Sequence, residues 1–96
     1  MVELKLLSNT QRPIRPIVEN ALANELRLQE AGIERTELRL RELESRYHMT
    51  TSEFIRAFED NELGETLEFA EWVGEYRLLL RQREKADTLR GIQFAG

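Results

Sequence analysis

The sequence predicts an all-α protein, built from a long amphipathic helix followed by a helical hairpin, with a possible short strand at the N-terminus. Apolar residues recur at spacings of three, four and seven over most of the 96 residues. A capping motif and a glycine-containing turn divide this pattern into three helices. The expected organisation is a strand and linker segment over 1–16, a helical domain over 17–90 and a frayed tail over 91–96.

The first residues have the alternation that is typical of a strand. Val2, Leu4 and Leu6 alternate with Glu3 and Lys5. No second strand pattern follows, and a lone strand leaves its backbone donors and acceptors unpaired. We therefore expect this segment either to pair with another chain or to fray.

Two prolines separate the strand from the first helix. Pro13 and Pro16 disfavour the helical conformation in the residue before each of them, and Pro16 also suits the first turn of a helix. A helical pattern then runs from about Ile17 to Met49. Gly32 interrupts it at a cost of about 1 kcal/mol relative to alanine, so one long helix and two helices joined there both remain open. One face is apolar, with Leu22, Leu26, Ile33, Leu40, Leu43 and Tyr47.

This narrow stripe has charged flanks, which is typical of a coiled-coil seam, although an ordinary amphipathic helix that packs on its own chain fits equally well. The next helix has a sharper start. Thr50 and Glu53 form a capping box, and Met49 and Phe54 have the spacing of a hydrophobic staple. Together they predict a short helix from Thr51 to about Asp60.

A turn at 61–64 leads to the last helix, expected from about Glu65 to Leu89. Gly64 is free to adopt a positive φ in this turn. The short helix presents Phe54, Ile55 and Phe58, and the last helix presents Phe69, Trp72, Val73, Tyr76, Leu79 and Leu80. These aromatic residues either form the core of the hairpin or, in part, an interface, because so short a chain cannot enclose all of them.

Charge is unevenly distributed along the chain. The net charge is −4, with eight acidic residues and one basic residue over 53–75, and five basic and two acidic residues over 76–90. A helix-turn-helix over 50–76 is disfavoured because its second helix would present glutamates to DNA phosphates. Nucleic acid is therefore an unlikely partner.

The short chain also favours association. A protein of this size buries only about 60–65% of its unfolded surface, and without cysteines it has neither disulfides nor thiolate metal sites. A homo-oligomer, a protein partner or both are expected. No run of 18 apolar residues and no signal-peptide pattern occurs, so we expect a cytoplasmic protein without membrane contact.

Catalysis is not expected. His48 is the only histidine, and the sequence contains no nucleophile–base pair, P-loop, dinucleotide-binding or zinc-protease motif. No cofactor is predicted. Four glutamates line one face of the last helix as a solvated face, an acidic docking surface or a metal site, and the last has least support because no Glu-x-x-His motif accompanies them. They are Glu65, Glu68, Glu71 and Glu75.

Four short motifs lie between Leu43 and Leu80. They read RY-x-M at 46–49, (S/T)-x-E-F at 51–54, ELG at 62–64 and F-x-EW at 69–72. With them, this stretch resembles small prokaryotic proteins that are similar to the antitoxins of two-gene toxin–antitoxin modules. The pattern positions are Phe54, Phe58, Leu63, Gly64, Phe69, Glu71 and Trp72.

The resemblance implies a non-catalytic protein that sequesters a toxin encoded beside it. Many such toxins are ribonucleases or nucleotidyl transferases with basic grooves, in which an acidic helix carrying Trp72 could lie. Residues 1–32 are outside the pattern and do not resemble an operator-binding domain. A self-assembling structural or adaptor protein is the alternative. The expected partner-binding residues are Phe54, Phe58, Glu65, Glu68, Phe69, Glu71, Trp72, Glu75 and Tyr76.

Overall fold

The computed structural model describes residues 2–7 and 13–94. The prediction of an all-α fold is confirmed, since three helices dominate the chain and a short two-stranded sheet joins its two ends. The elements in order are β1 (Val2–Leu4), α1 (Arg15–Tyr47), α2 (Thr51–Glu59), α3 (Leu67–Arg90) and β2 (Ile92–Phe94). Helices α1 and α3 pack antiparallel, and we refer to this pair as the helical hairpin of the structure. The short α2 lies between them in sequence, so the packed pair differs from the predicted hairpin of the second and third helices.

Helix α1 is continuous through Gly32, which decides between the two arrangements that the sequence left open. Gly32 is buried, and a Cβ atom there would lie 2.7 Å from Nε2 of Gln82 on α3. The hydroxyl of Thr36 lies 2.9 Å from both the Gly32 carbonyl and Oε1 of Gln82. Gly32 therefore allows α1 and α3 to approach closely, and it does not break α1.

The predicted capping box at the start of α2 is confirmed. Thr50 Oγ1 accepts a hydrogen bond from the Glu53 amide at 3.1 Å, and Glu53 Oε2 accepts one from the Thr50 amide at 3.3 Å. In the connection to α3, the positive φ falls on Asn61 (56°) rather than on Gly64. Helix α3 begins at Leu67, later than expected, because the Thr66 hydroxyl caps it.

The molecule is elongated. Its extents are 61 × 21 × 18 Å and its radius of gyration is 19.0 Å, whereas a compact chain of this length has a radius of about 12–13 Å. The core is a thin layer where α1, α2 and α3 meet, formed by Leu40, Leu43, Phe54, Trp72, Val73 and Leu79. Much of α1 and α3 consequently has only one packed face.

The prediction of a frayed tail is wrong for residues 92–94. Strand β2 pairs in parallel with β1, with Val2, Glu3 and Leu4 opposite Ile92, Gln93 and Phe94. The first strand therefore pairs within its own chain. The sequence did not predict this pairing, because the three residues of β2 are too few to show a period of two. The proline-containing linker that was predicted to end at residue 16 lies partly outside the described residues, and so do residues 95–96 of the predicted tail.

None of the helices in the described ranges combines the length and the apolar character that crossing a membrane requires.

Candidate protein-binding surface

Two of the expected partner-binding residues lie in the core. Trp72 and Phe54 are both 0% exposed, and their rings stack with centroids 3.9 Å apart. The Trp72 Nε1–H donates to Thr51 Oγ1 at 3.1 Å, and the Thr51 amide donates to Oε2 of Glu44 at 2.6 Å. In this fold the pair holds α2 on the helical hairpin, so neither side chain is available to a partner.

The other three expected aromatic contacts are half-buried. Phe69 packs edge-on to Tyr47, with ring centroids 5.1 Å apart, and supports the same cluster. Tyr76 lines a separate groove beside Arg41 and Arg83. Phe58 lies 5.7 Å from the Phe54 ring and also lines an open groove between α2 and the start of α3. Phe58 shares this groove with the exposed Leu67.

The glutamates of α3 are not one solvated face. Glu68 accepts hydrogen bonds from the Arg46 guanidinium and the Tyr47 hydroxyl of α1. The hydrogen bond from the Tyr47 hydroxyl to Glu68 is lost when Tyr47 ionises, and the phenolate would then face a carboxylate. Both effects raise the pKa of Tyr47. Glu71 pairs with Arg39 at 2.9 Å. Half of the four expected acidic contacts are thus occupied by arginines of the same chain.

The opposite end of the hairpin has the reverse charge arrangement. On α3, Lys85 pairs with Glu25 of α1 at 2.9 Å, and the hydrogen bond from Lys85 lowers the pKa of that carboxyl. Arg83 pairs with Glu37 at 3.0 Å. Arg90 pairs with Glu30 at 3.2 Å. The acidic block and basic tail seen in the sequence are therefore complementary to α1.

A group of acidic side chains remains outside these ion pairs. Glu59, Asp60, Glu62 and Glu65 lie in or beside the connection from α2 to α3, and all four are exposed. None of them is within ion-pair distance of a cation in the part of the chain that the structure describes. Glu75, farther along α3, is half-buried and also makes no ion pair there.

One of these acidic residues, Glu65, lines an apolar groove. Leu67, at the first position of α3, is 93% exposed. The groove is lined by Phe58, Glu65, Thr66, Leu67 and Ala70. Gly74 continues the same face of α3 one turn on, and among the described residues outside its own turn of helix no atom lies within 4 Å of the place where its Cβ would be. We refer to Phe58, Leu67 and Ala70, with Glu65 beside them and the exposed Glu59, Asp60 and Glu62 of the adjoining connection, as the acidic-rimmed patch.

Sequence reasoning found only two members of this patch, Phe58 and Glu65. It missed Leu67, although a signal was present. Leu67 lies two residues before Phe69, out of phase with the apolar stripe of α3, and an out-of-phase leucine is expected to face solvent. The rim was missed because the sequence could not show which acidic residues already have arginine partners.

Within residues 2–7 and 13–94, no three or more His, Cys, Asp or Glu side chains are grouped so that they could hold a metal ion. The chain matches no protein-family model, no curated protein sequence and no solved structure.

Proposed function

We propose that the protein acts without catalysis, by binding a partner protein through the acidic-rimmed patch, and that it is an antitoxin that sequesters a basic toxin. The observation that carries the proposal is the position of Leu67. This leucine is almost fully exposed beside Glu65, and neither Glu65 nor the neighbouring Glu59, Asp60 and Glu62 has an ion-pair partner in the described residues. A single exposed leucine is ordinary, but an apolar centre inside a charged rim is the arrangement of a protein interface.

The negative charge of the rim favours a partner with a positively charged surface. Four carboxylates within residues 59–65 repel one another, and Arg56 is the only base nearby in sequence. A basic surface relieves this repulsion and accelerates encounter through long-range attraction. The partner is therefore a protein with a cationic surface that also presents an apolar side chain to the groove beside Leu67.

Sequestration follows from this choice of partner. A toxin that acts on nucleic acid needs a basic surface to hold phosphates. A protein that covers this surface with carboxylates competes with the nucleic acid for the same cations. The resemblance of Leu43–Leu80 to antitoxin-like proteins supports the same function, because the patch lies inside that stretch.

The aromatic core supports binding indirectly. Trp72 and Phe54 fix α2 against α3, and Thr50 and Thr66 cap the two helices that flank the patch. A patch on a rigid support loses little conformational entropy when it binds. The pattern positions Phe54 and Trp72 thus maintain the shape of the surface, and Phe58 and Leu67 make contact.

The test is to neutralise the rim and compare it with a matched control. The rim variant carries Glu59→Gln, Asp60→Asn, Glu62→Gln and Glu65→Gln. The control changes net charge equally, with Glu19→Gln, Glu42→Gln, Glu84→Gln and Asp87→Asn. We expect the rim variant to associate with its partner about tenfold more slowly at low salt, with a weaker dependence on salt.

The control variant should associate as the unmodified protein does, apart from a small effect of its total charge. Equal rates for the two variants would show that only net charge matters, and would contradict binding through the patch. The alternative function, a self-assembling adaptor without a toxin partner, is supported by a different surface, which lies on α1.

A further inference from the structure

Helix α1 has a second apolar stripe, on a face that α3 does not cover. Ile17, Leu28 and Leu38 are 66%, 58% and 51% exposed, and the exposed Ala21 and Ala31 lie between them. With Asn24 and Arg35, these residues are spaced alternately by four and three from 17 to 38. All seven positions are exposed. This alternation of four and three is the heptad spacing of the seam in a left-handed coiled coil.

We propose that this stripe is the seam of an antiparallel homodimer, in which α1 packs on α1 of a second copy about a two-fold axis near residues 29 and 30. The side-chain sizes favour this alignment. Leu28 lies opposite Ala31 of the second copy, and Leu38 lies opposite its Ala21. Every leucine in the seam then meets an alanine, so that large and small residues alternate as they do in packed helix interfaces.

The charges favour the same alignment. Antiparallel packing places Arg35 opposite Asn24 of the second copy, whose amide oxygen accepts from Arg27 of its own chain at 3.2 Å and has a second lone pair for Arg35. Beside the seam, Arg27 faces Glu34 of the second copy, and the two-fold axis repeats this ion pair. Parallel packing in register would instead place Arg35 against Arg35. Within the described residues, neither Glu34 nor Arg35 has an ion-pair partner in its own chain.

The shape of the monomer explains why such a seam is needed. The core is confined to the region where α2 joins the hairpin, and the N-terminal half of α1 contributes few buried residues. A second copy buries Leu28 and Leu38 against its alanines, whereas Ile17 lies opposite Glu42 at the end of the seam. The seam shares no residue with the acidic-rimmed patch, so the dimer is independent of the proposed toxin binding.

Charge reversal with rescue tests the pairing, with the dissociation constant measured by analytical ultracentrifugation. We expect Arg27→Glu and Glu34→Arg each to weaken the dimer about tenfold, because each creates two like-charge contacts. The double variant should recover the original affinity. Glu34→Arg also places a cation beside Glu30 and Glu37, which pair with Arg90 and Arg83 of α3, so recovery of the dimer in the double variant is what assigns the loss to the contact between chains.

Engineered cysteines test the orientation, since the natural chain has none. A mixture of Ala21→Cys and Leu38→Cys proteins should form the mixed disulfide, and Ala21→Cys alone should not cross-link to itself. Circular dichroism checks that each variant remains helical, as expected because these positions are exposed. A monomer at all concentrations, a dimer that Arg27→Glu leaves unchanged, or self-cross-linking of Ala21→Cys would each overturn the proposal.

Discussion

The indole of Trp72 lies flat on the ring of Phe54, with centroids 3.9 Å apart and planes 3° from parallel. The two residues belong to α3 and α2, so this contact attaches the short helix to the long hairpin. The only polar atom of the indole, Nε1, donates to the buried Thr51 hydroxyl. The orientation of α2, and with it the groove between Phe58 and Leu67, depends on this arrangement.

Removing the Thr51 hydroxyl should therefore destabilise the fold. Thr51→Val keeps the shape of the side chain but leaves the buried Trp72 N–H without its acceptor, which costs about 1–3 kcal/mol in the free energy of unfolding. Thr51→Ser keeps the acceptor and should lose less. Urea denaturation followed by tryptophan fluorescence measures both. Equal losses would mean that the threonine methyl group, rather than the hydrogen bond, is what matters.

A second prediction concerns the close contact at Gly32. Gly32→Ala raises helix propensity by about 1 kcal/mol, but its Cβ would meet Nε2 of Gln82 at 2.7 Å and displace the amide from Thr36. The two effects should nearly cancel. In a Gln82→Ala background the clash is absent, so Gly32→Ala should stabilise by about 1 kcal/mol. A double-mutant cycle from urea denaturation gives the coupling, and no coupling would contradict the observed contact.

At Gly74, in contrast to Gly32, a substitution by alanine should give a net gain in stability. In the part of the chain that the structure describes, no atom beyond the surrounding helix turn lies within 4 Å of an added Cβ, and the residue is exposed in the middle of α3. Gly74→Ala should raise the free energy of unfolding by about 1 kcal/mol, because it lowers the entropy of the unfolded chain without a clash. Thermal denaturation measures the gain. A loss of stability would show that another chain or segment occupies this space.

The ionisation of Tyr47 should report its bond to Glu68. That hydrogen bond raises the pKa of Tyr47, so its contribution to stability is present at neutral pH and is lost as the pH rises through the pKa of the folded state. Absorbance at alkaline pH follows the phenolate. Glu68→Gln should return the Tyr47 pKa towards its ordinary value, whereas Glu75→Gln should not change it. Identical titrations of the two variants would exclude the bond.

Local signals in the sequence predicted much of the fold. The capping box at Thr50 and Glu53 fixed the start of α2, because a cap is formed by residues three apart. The period of the apolar residues gave three helices. The end of α3 was predicted to within one residue, but the partner of β1 was not predictable, because β1 pairs with residues about 90 positions away. Continuity at Gly32 likewise depends on Gln82, on another helix.

The candidate surface was harder to predict than the fold. Trp72 and Phe54 are the residue types that interfaces prefer, but the same types fill cores, and only the packing of α2 distinguishes the two roles. Glu68 and Glu71 looked equivalent to Glu65, yet arginines of α1 neutralise the first two. The charge that could attract a partner is that of the acidic residues left without an ion pair in the fold. The sequence alone does not show which ion pairs form.

The most direct test of partner binding through the acidic-rimmed patch is a pull-down from the source organism with three baits. They are the unmodified protein, Leu67→Ser in the patch and, as a matched control, Leu80→Ser at a leucine of α3 that is 45% exposed. The account predicts stoichiometric capture of one basic protein by the first and third baits, released by high salt, and at least tenfold less capture by Leu67→Ser. Equal capture by Leu67→Ser and Leu80→Ser, or no captured protein with any bait, would contradict it.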